Sequence, residues 1–229
     1  MAKKKKSKTG LGGELVPLRE ALDQAFFEID KMHTEKRVGN DLSLGYPFLN
    51  DLIVGREKPL FSILSAPKGM GESAYLGGSI LNRFATNDQN AIAFFSLQVT
   101  STHYSSIMLS IGANIDHKLL QSGRLPSGQW PKLSVAAGQL AEANIYIDNY
   151  RHHSVKSIAK RAGKLVDKSS LDLIIIDNLQ YIASKKSKGE VGDYQKTCDS
   201  FRKISDKLNV SILLLSQFAD MYDPLSINQ

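Results

Sequence analysis

The chain has 229 residues, 42% hydrophobic and 23% charged, with a formal net charge of +6 and a sequence pI near 9.2. Those are the proportions of one ordinary globular domain with a short appendage, and they exclude a collagen-like, mucin-like or wholly disordered chain. Lys3, Lys4, Lys5, Lys6 and Lys8 precede the first acidic residue, Glu14, and carry all but one of the excess charges. The basic balance therefore belongs to a tail that could touch phosphates, a membrane surface or nothing.

Cys198 is the only cysteine, so neither an intrachain disulfide nor a multi-cysteine metal site can form. No apolar run approaches the roughly 18 to 20 residues that span a bilayer. The opening lysines lead into Thr9-Gly10-Leu11-Gly12-Gly13 instead of an apolar signal core. The expectation is a cytoplasmic chain, neither secreted nor anchored in a membrane.

In chain order, residues 1–13 are lysine- and glycine-rich, cannot bury apolar surface, and are expected to be disordered. From Pro17, apolar residues recur at Leu18, Leu22, Phe26, Ile29 and Met32 with charges between them, forming one helical stripe that ends near Gly39-Asn40. Such a helix, within residues 14–40, either packs as the first core helix of the domain or docks on a neighbouring subunit. Residues 41–229 then alternate apolar and helix-period segments. Strands are expected at 60–65, 91–97, 144–147, 171–176 and 210–215, and helices at 72–84, 102–111, 127–141, 154–166 and 194–208. The runs Ile174-Ile175-Ile176 and Ile212-Leu213-Leu214-Leu215 are continuously apolar, as parallel strands covered on both faces require. This is an α/β pattern, with a mobile polar loop over 184–193.

The first strand runs into Ala66-Pro67-Lys68-Gly69-Met70-Gly71-Glu72-Ser73 and then a helix. That is the place and length of a P-loop, in which backbone N–H groups and a helix N-terminus surround phosphates, a lysine reaches the β/γ-phosphates and a hydroxyl holds Mg²⁺. Two defining positions differ: Ala66 replaces the first glycine, and Glu72 stands where the lysine belongs. Lys68, in the same loop, is either a solvated residue or a displaced phosphate ligand. Downstream, the strand 171–176 ends in Asp177, either a turn or cap residue or, with Ser73, one half of a Mg²⁺ pair. None of His33, His103, His117, His152 and His153 has metal-ligand spacing. His152-His153 is expected in an exposed loop or helix start, and Trp130 in a helix-on-helix contact. Arg151, Lys156, Lys160, Arg161 and Lys164 read as surface.

Together these segments resemble the C-terminal, RecA-like motor domain of bacterial replicative hexameric helicases, the DnaB family, with its preceding linker helix. The resemblance covers roughly residues 15–220. Leu44-Gly45-Tyr46-Pro47-Phe48-Leu49-Asn50-Asp51-Leu52 is similar to the family's T-G-F-x-x-L-D-x-L. Phe94-Phe95-Ser96-Leu97-Gln98 resembles its F-S-L-E strand end, 125–133 its L-x-x-x-x-W-x-x-L helix, and Ile145-Tyr146-Ile147-Asp148 its I-Y-I-D-D. Residues 174–180 resemble I-V-I-D-Y-L-Q, and Leu215-Ser216-Gln217 the sensor segment A-L-S-Q.

The resemblance implies a RecA-like P-loop NTPase fold, a role in DNA replication, and ATP with Mg²⁺ at Ala66, Lys68, Gly69, Gly71, Ser73 and Asp177. It also implies Gln217 as a sensor, docking through Leu18, Leu22, Phe26, Ile29 and Met32, and DNA contact through Lys185, Lys186 and Lys188, which are otherwise a solvated charge run. The partners so implied are replicative helicase subunits or further copies of the chain, and single-stranded DNA. Its catalytic positions depart from the pattern. Glu72 replaces the phosphate-binding lysine, and Gln98 replaces the glutamate that polarises the attacking water, where an amide can orient a water but cannot take its proton. The chain stops at Gln229, before the strands and basic residues that supply the family's arginine finger. Three readings follow: a non-catalytic relative that binds ATP weakly or not at all and acts through helicase or DNA contacts, an ATP-dependent helicase domain with an unusual site, or a relative of other RecA-like ATPases in recombination or signalling.

Overall fold

Alternation along the strands explains why so many consecutive apolar residues can be buried at once. Side chains of a strand point to opposite faces with a period of two. Ile92, Phe94, Leu173, Ile175, Leu213 and Leu215 therefore gather on one face, and Ala93, Phe95, Ile174, Ile176, Ile212 and Leu214 on the other, each in its own core cluster. Parallel strands joined by helical crossovers bury a sheet on both faces in this way. The protein, in a computed structural model that describes residues 17–34, 59–67, 73–85, 90–150, 152–183 and 191–218, has that architecture.

The described strands are β1 (Phe61–Pro67), β2 (Ile92–Ser96), β3 (Ile145–Asp148), β4 (Leu173–Asp177) and β5 (Ser211–Phe218). They form one parallel sheet in the order β1-β5-β4-β2-β3. The helices are α1 (Leu18–Thr34), α2 (Ser73–Ala85), α3 (Ser101–Ala113), α4 (His117–Ser122), α5 (Trp130–Ala141), α6 (Val155–Val166), α7 (Leu179–Ala183) and α8 (Val191–Leu208). Ile80, Leu81 and Phe84 of α2 and Tyr104, Ile107 and Met108 of α3 cover the first face. Ile158 and Ala162 of α6 and Phe201 of α8 cover the second. The chain divides into two compact units, 1–41 and 42–229. In the first, α1 exposes Leu18, Leu22 and Phe26, together with Phe27. The side chains of Ile29 and Met32 lie outside the described residues.

Several elements differ from the sequence expectation. α4 and α7 were not expected, because helices of six and five residues are too short to show a period. α4 is instead fixed by its cap, where Asp116 Oδ1 accepts from the Lys118 N–H at 2.8 Å. α8 begins at Val191, inside the segment expected to be a loop. Trp130 opens α5 with more than half its surface exposed, where a residue packed between helices would be mostly buried.

Two adjacent glycines set how closely α2 approaches α3. A Cβ on Gly78 would lie 2.6 Å from Ile107 Cγ2, and one on Gly77 would lie 3.2 Å from Tyr104 Cε1. Gly78→Ala tests which of two opposed effects wins. Better helix propensity favours alanine by about 1 kcal/mol, whereas forced repacking of a close-packed contact costs about 1 to 3 kcal/mol. The expected outcome is a net loss of stability, read as a lower denaturant midpoint with an unchanged slope.

Candidate nucleotide site at the carboxyl ends of the strands

In open parallel α/β sheets, ligands bind beyond the carboxyl ends of the strands. Here those ends bring together Ala66 of β1, Ser96 of β2, Asp177 of β4 and Gln217 of β5. Ala66 is in register with Gln217, Ser96 with Asp177, and Asp177 with Leu215. Ser73 is the first residue of α2, the helix that follows β1. Lys68, Gly69, Gly71 and Glu72 lie outside the described residues, as do Lys185, Lys186 and Lys188.

Gln98 is placed by a turn that closes β2. The Ser96 hydroxyl donates to the Val99 carbonyl and accepts from the Val99 N–H. The Leu97 N–H donates to the Asp177 carbonyl at 2.7 Å, which extends the ladder one residue and leaves Gln98 exposed at the strand end. Its Oε1 accepts from Asn178 Nδ2 at 3.5 Å. Asn178 itself is fully buried, and its Oδ1 has no hydrogen-bond partner among the described residues.

Asp177 is the other focus. Its side chain is wholly buried, and one carboxylate oxygen, Oδ2, accepts a hydrogen bond from the Tyr104 hydroxyl of α3. Burial, followed by the negative charge of Asp177 and the hydrogen bond to it, raises the Tyr104 phenol far above its ordinary value, so it stays a neutral donor. On the neighbouring strand, Gln180 ties down the end of β5. Its Nε2 donates to Ser216 Oγ at 2.9 Å and to the Gln217 carbonyl, while its Oε1 accepts from the Gln217 N–H at 3.2 Å. Gln217 is thereby held by its backbone from α7.

A Mg²⁺ ion is a hard cation that keeps several waters and needs open carboxylate oxygen. The described residues do not fit it, because Asp177 has no exposed surface and already receives the Tyr104 hydroxyl. Among the described residues no group of three or more His, Cys, Asp or Glu could hold a metal ion either.

The end of β3 carries a separate polar cluster. His153, expected to be exposed, is 1% exposed, with Nδ1 2.9 Å from Ser157 Oγ and Nε2 3.2 Å from Asp148 Oδ1. It is buried because the ring lies edge-on to Phe95 and Tyr150 and because Ser157 belongs to the capping box of α6. Arg161 donates to Asp148 Oδ2 at 2.8 Å and covers the Tyr150 ring. Burial opposes ionisation of Asp148, but the Tyr150 N–H, His153 and Arg161 outweigh it and hold the carboxyl below its ordinary range. This cluster supports the sheet edge and lies apart from Asp177 and Gln217. Tyr104 and Asn178 were not singled out from sequence; a Tyr inside a helical segment and an Asn after a strand give no signal of their own.

Residues 41–223 match the family described as the DnaB-like helicase C terminal domain. The chain belongs to that family. It is 26% identical over 209 residues to a replicative DNA helicase DnaB of Geobacillus stearothermophilus, covering 90% of this chain and 46% of that protein. It is 28% identical over 207 residues to a replicative DNA helicase DnaC of Bacillus subtilis (strain 168), covering 88% and 45%. The DnaB-like domain thus spans less than half the length of these relatives. Its fold is similar to the solved structure of a DnaB-like replicative helicase described with its interactions with primase, with a TM-score of 0.78 and 21% identity, covering 93% of this chain and 51% of that one. A second solved structure, an ATPase domain, gives a TM-score of 0.74 at 21% identity, covering 94% and 75%. The RecA-like α/β fold expected from the sequence is therefore that of this DnaB-like domain. No helix among the described residues is long and apolar enough to cross a membrane.

Proposed function

We propose that this DnaB-like domain does not hydrolyse ATP and acts in DNA replication by binding, with a replicative helicase, single-stranded DNA or both as its partners. The observation that carries this reading is Gln98, an amide exposed at the end of β2 where the DnaB pattern has the water-polarising glutamate. An amide has no proton-accepting role in the attack of water on a phosphoryl group. Glu72 points the same way, since a carboxylate at the phosphate-binding position repels a triphosphate. If ATP binds at all, Ala66, Lys68, Gly69, Gly71 and Ser73 are the residues to hold its phosphates, with Asp177 beside them, and the affinity is low. The exposed Leu22 and Phe26 support α1 as the docking element for a helicase subunit or a second copy. Lys185, Lys186 and Lys188 are the proposed contacts to single-stranded DNA, whose affinity would then fall steeply with salt through counterion release.

The test is steady-state ATP hydrolysis by the purified chain, with and without single-stranded DNA. The expected result is no turnover above that of a mock purification. A rate on the order of 1 s⁻¹ or more, typical of working enzymes, sinks the proposal and favours the alternative, an ATP-dependent helicase domain with an unusual site.

A further inference from the structure

Tyr104 lies in the first turn of α3 with its side chain completely buried. Its ring meets Phe94 edge-on, with centroids 4.6 Å apart and planes at 68°. Gly77 leaves room for it: a Cβ there would stand 3.2 Å from Tyr104 Cε1. The ring is thus held on two sides by apolar packing, and its one polar atom is directed at Asp177 Oδ2. Rotating the hydroxyl away would leave both a buried phenol and a buried carboxylate oxygen without this bond, and each such orphan is costly. Neither carboxylate oxygen has solvent-exposed surface, and Oδ2 is taken by the Tyr104 hydroxyl, so a hydrated cation is kept from it while that hydrogen bond is made.

From this geometry we propose that Tyr104 is the residue that prevents Asp177 from acting as a divalent-cation ligand, so that the strand-end site is closed to metal. Tyr104 acts through Asp177 and is not a catalytic residue. The inference rests on the reading of the strand ends as a former nucleotide site and adds to Gln98 and Glu72 a third, independent departure. It is also one that a search for altered motif residues cannot find, because Tyr104 belongs to none of the matched segments.

The test uses the full chain and Mn²⁺ alone, with free Mn²⁺ read by electron paramagnetic resonance and no nucleotide present. The parent and Asp177→Asn are expected to bind the same small amount of Mn²⁺. Tyr104→Phe, which removes only the hydroxyl, is expected to bind at least about fivefold more at equal free Mn²⁺, and Tyr104→Phe/Asp177→Asn to return to the parent level. The inference is overturned if the parent loses Mn²⁺ binding on Asp177→Asn, or if Tyr104→Phe shows a native circular dichroism spectrum and gains nothing. Should Tyr104→Phe not fold, Tyr104→Leu takes its place: a gain in Mn²⁺ binding that Asp177→Asn abolishes supports the inference, and no gain in a natively folded variant overturns it. A chain that hydrolyses no ATP yet binds Mn²⁺ through Asp177 would sink this inference and leave the non-hydrolysing reading standing.

Discussion

Replacing Leu22 and Phe26 together by aspartate is expected to weaken association through α1 by roughly two to four orders of magnitude, with the thermal midpoint of the rest of the chain unchanged. Both side chains are exposed, Leu22 by 49% and Phe26 by 71%. Neither belongs to the core clusters of the described residues. In a complex the sum is different. Burying each large apolar side chain contributes roughly 1.5 to 3 kcal/mol, and every 1.4 kcal/mol is about tenfold in affinity. The cost of ordering the partners on association is common to parent and variant, so it largely cancels in the comparison. Light scattering measures self-association, and capture by the host's replicative helicase measures docking. A parent chain that is monomeric and captures no helicase would end the docking reading, and α1 would have no partner to explain its apolar side.

The largest change in ligand affinity is expected from Glu72→Lys. A unit charge about 4 Å from a phosphate oxygen interacts by on the order of 4 kcal/mol at an effective dielectric near 20, so exchanging repulsion for attraction spans roughly twice that. If solvent screening leaves only a quarter of it, the gain still exceeds tenfold. Titration with a fluorescent ATP analogue is therefore expected to show at least tenfold tighter binding for Glu72→Lys than for the parent. Hydrolysis is not expected to return with that change alone, because Gln98 still lacks a proton acceptor; it also needs Gln98→Glu and a cation on Asp177. Equal affinity of Glu72→Lys and parent would mean that residues 66–73 do not wrap a phosphate, and the placement of the site would be wrong.

The sequence by itself determined what depends on residues close together in the chain. The apolar runs of β4 and β5 could only be strands covered on both faces. The order of strand, loop and helix around Ala66 to Ser73 is what suggests a P-loop-like segment, and the single substitutions Glu72 and Gln98 are visible against the DnaB pattern. What the tertiary structure decided depends on residues far apart in the chain. Tyr104 and Asp177 are 73 positions apart, and only the parallel crossover that carries β2 beside β4 and packs α3 over that face makes them neighbours. His153 likewise reads as an exposed polar residue until the edge strand β3 and the cap of α6 close around it. Trp130 reads as a helix-on-helix packing residue, whereas its place at the start of α5 leaves more than half its surface exposed. Periodicity reports which face of an element is apolar; it carries no information on which other element that face will meet, because that choice is made by the packing of the whole sheet.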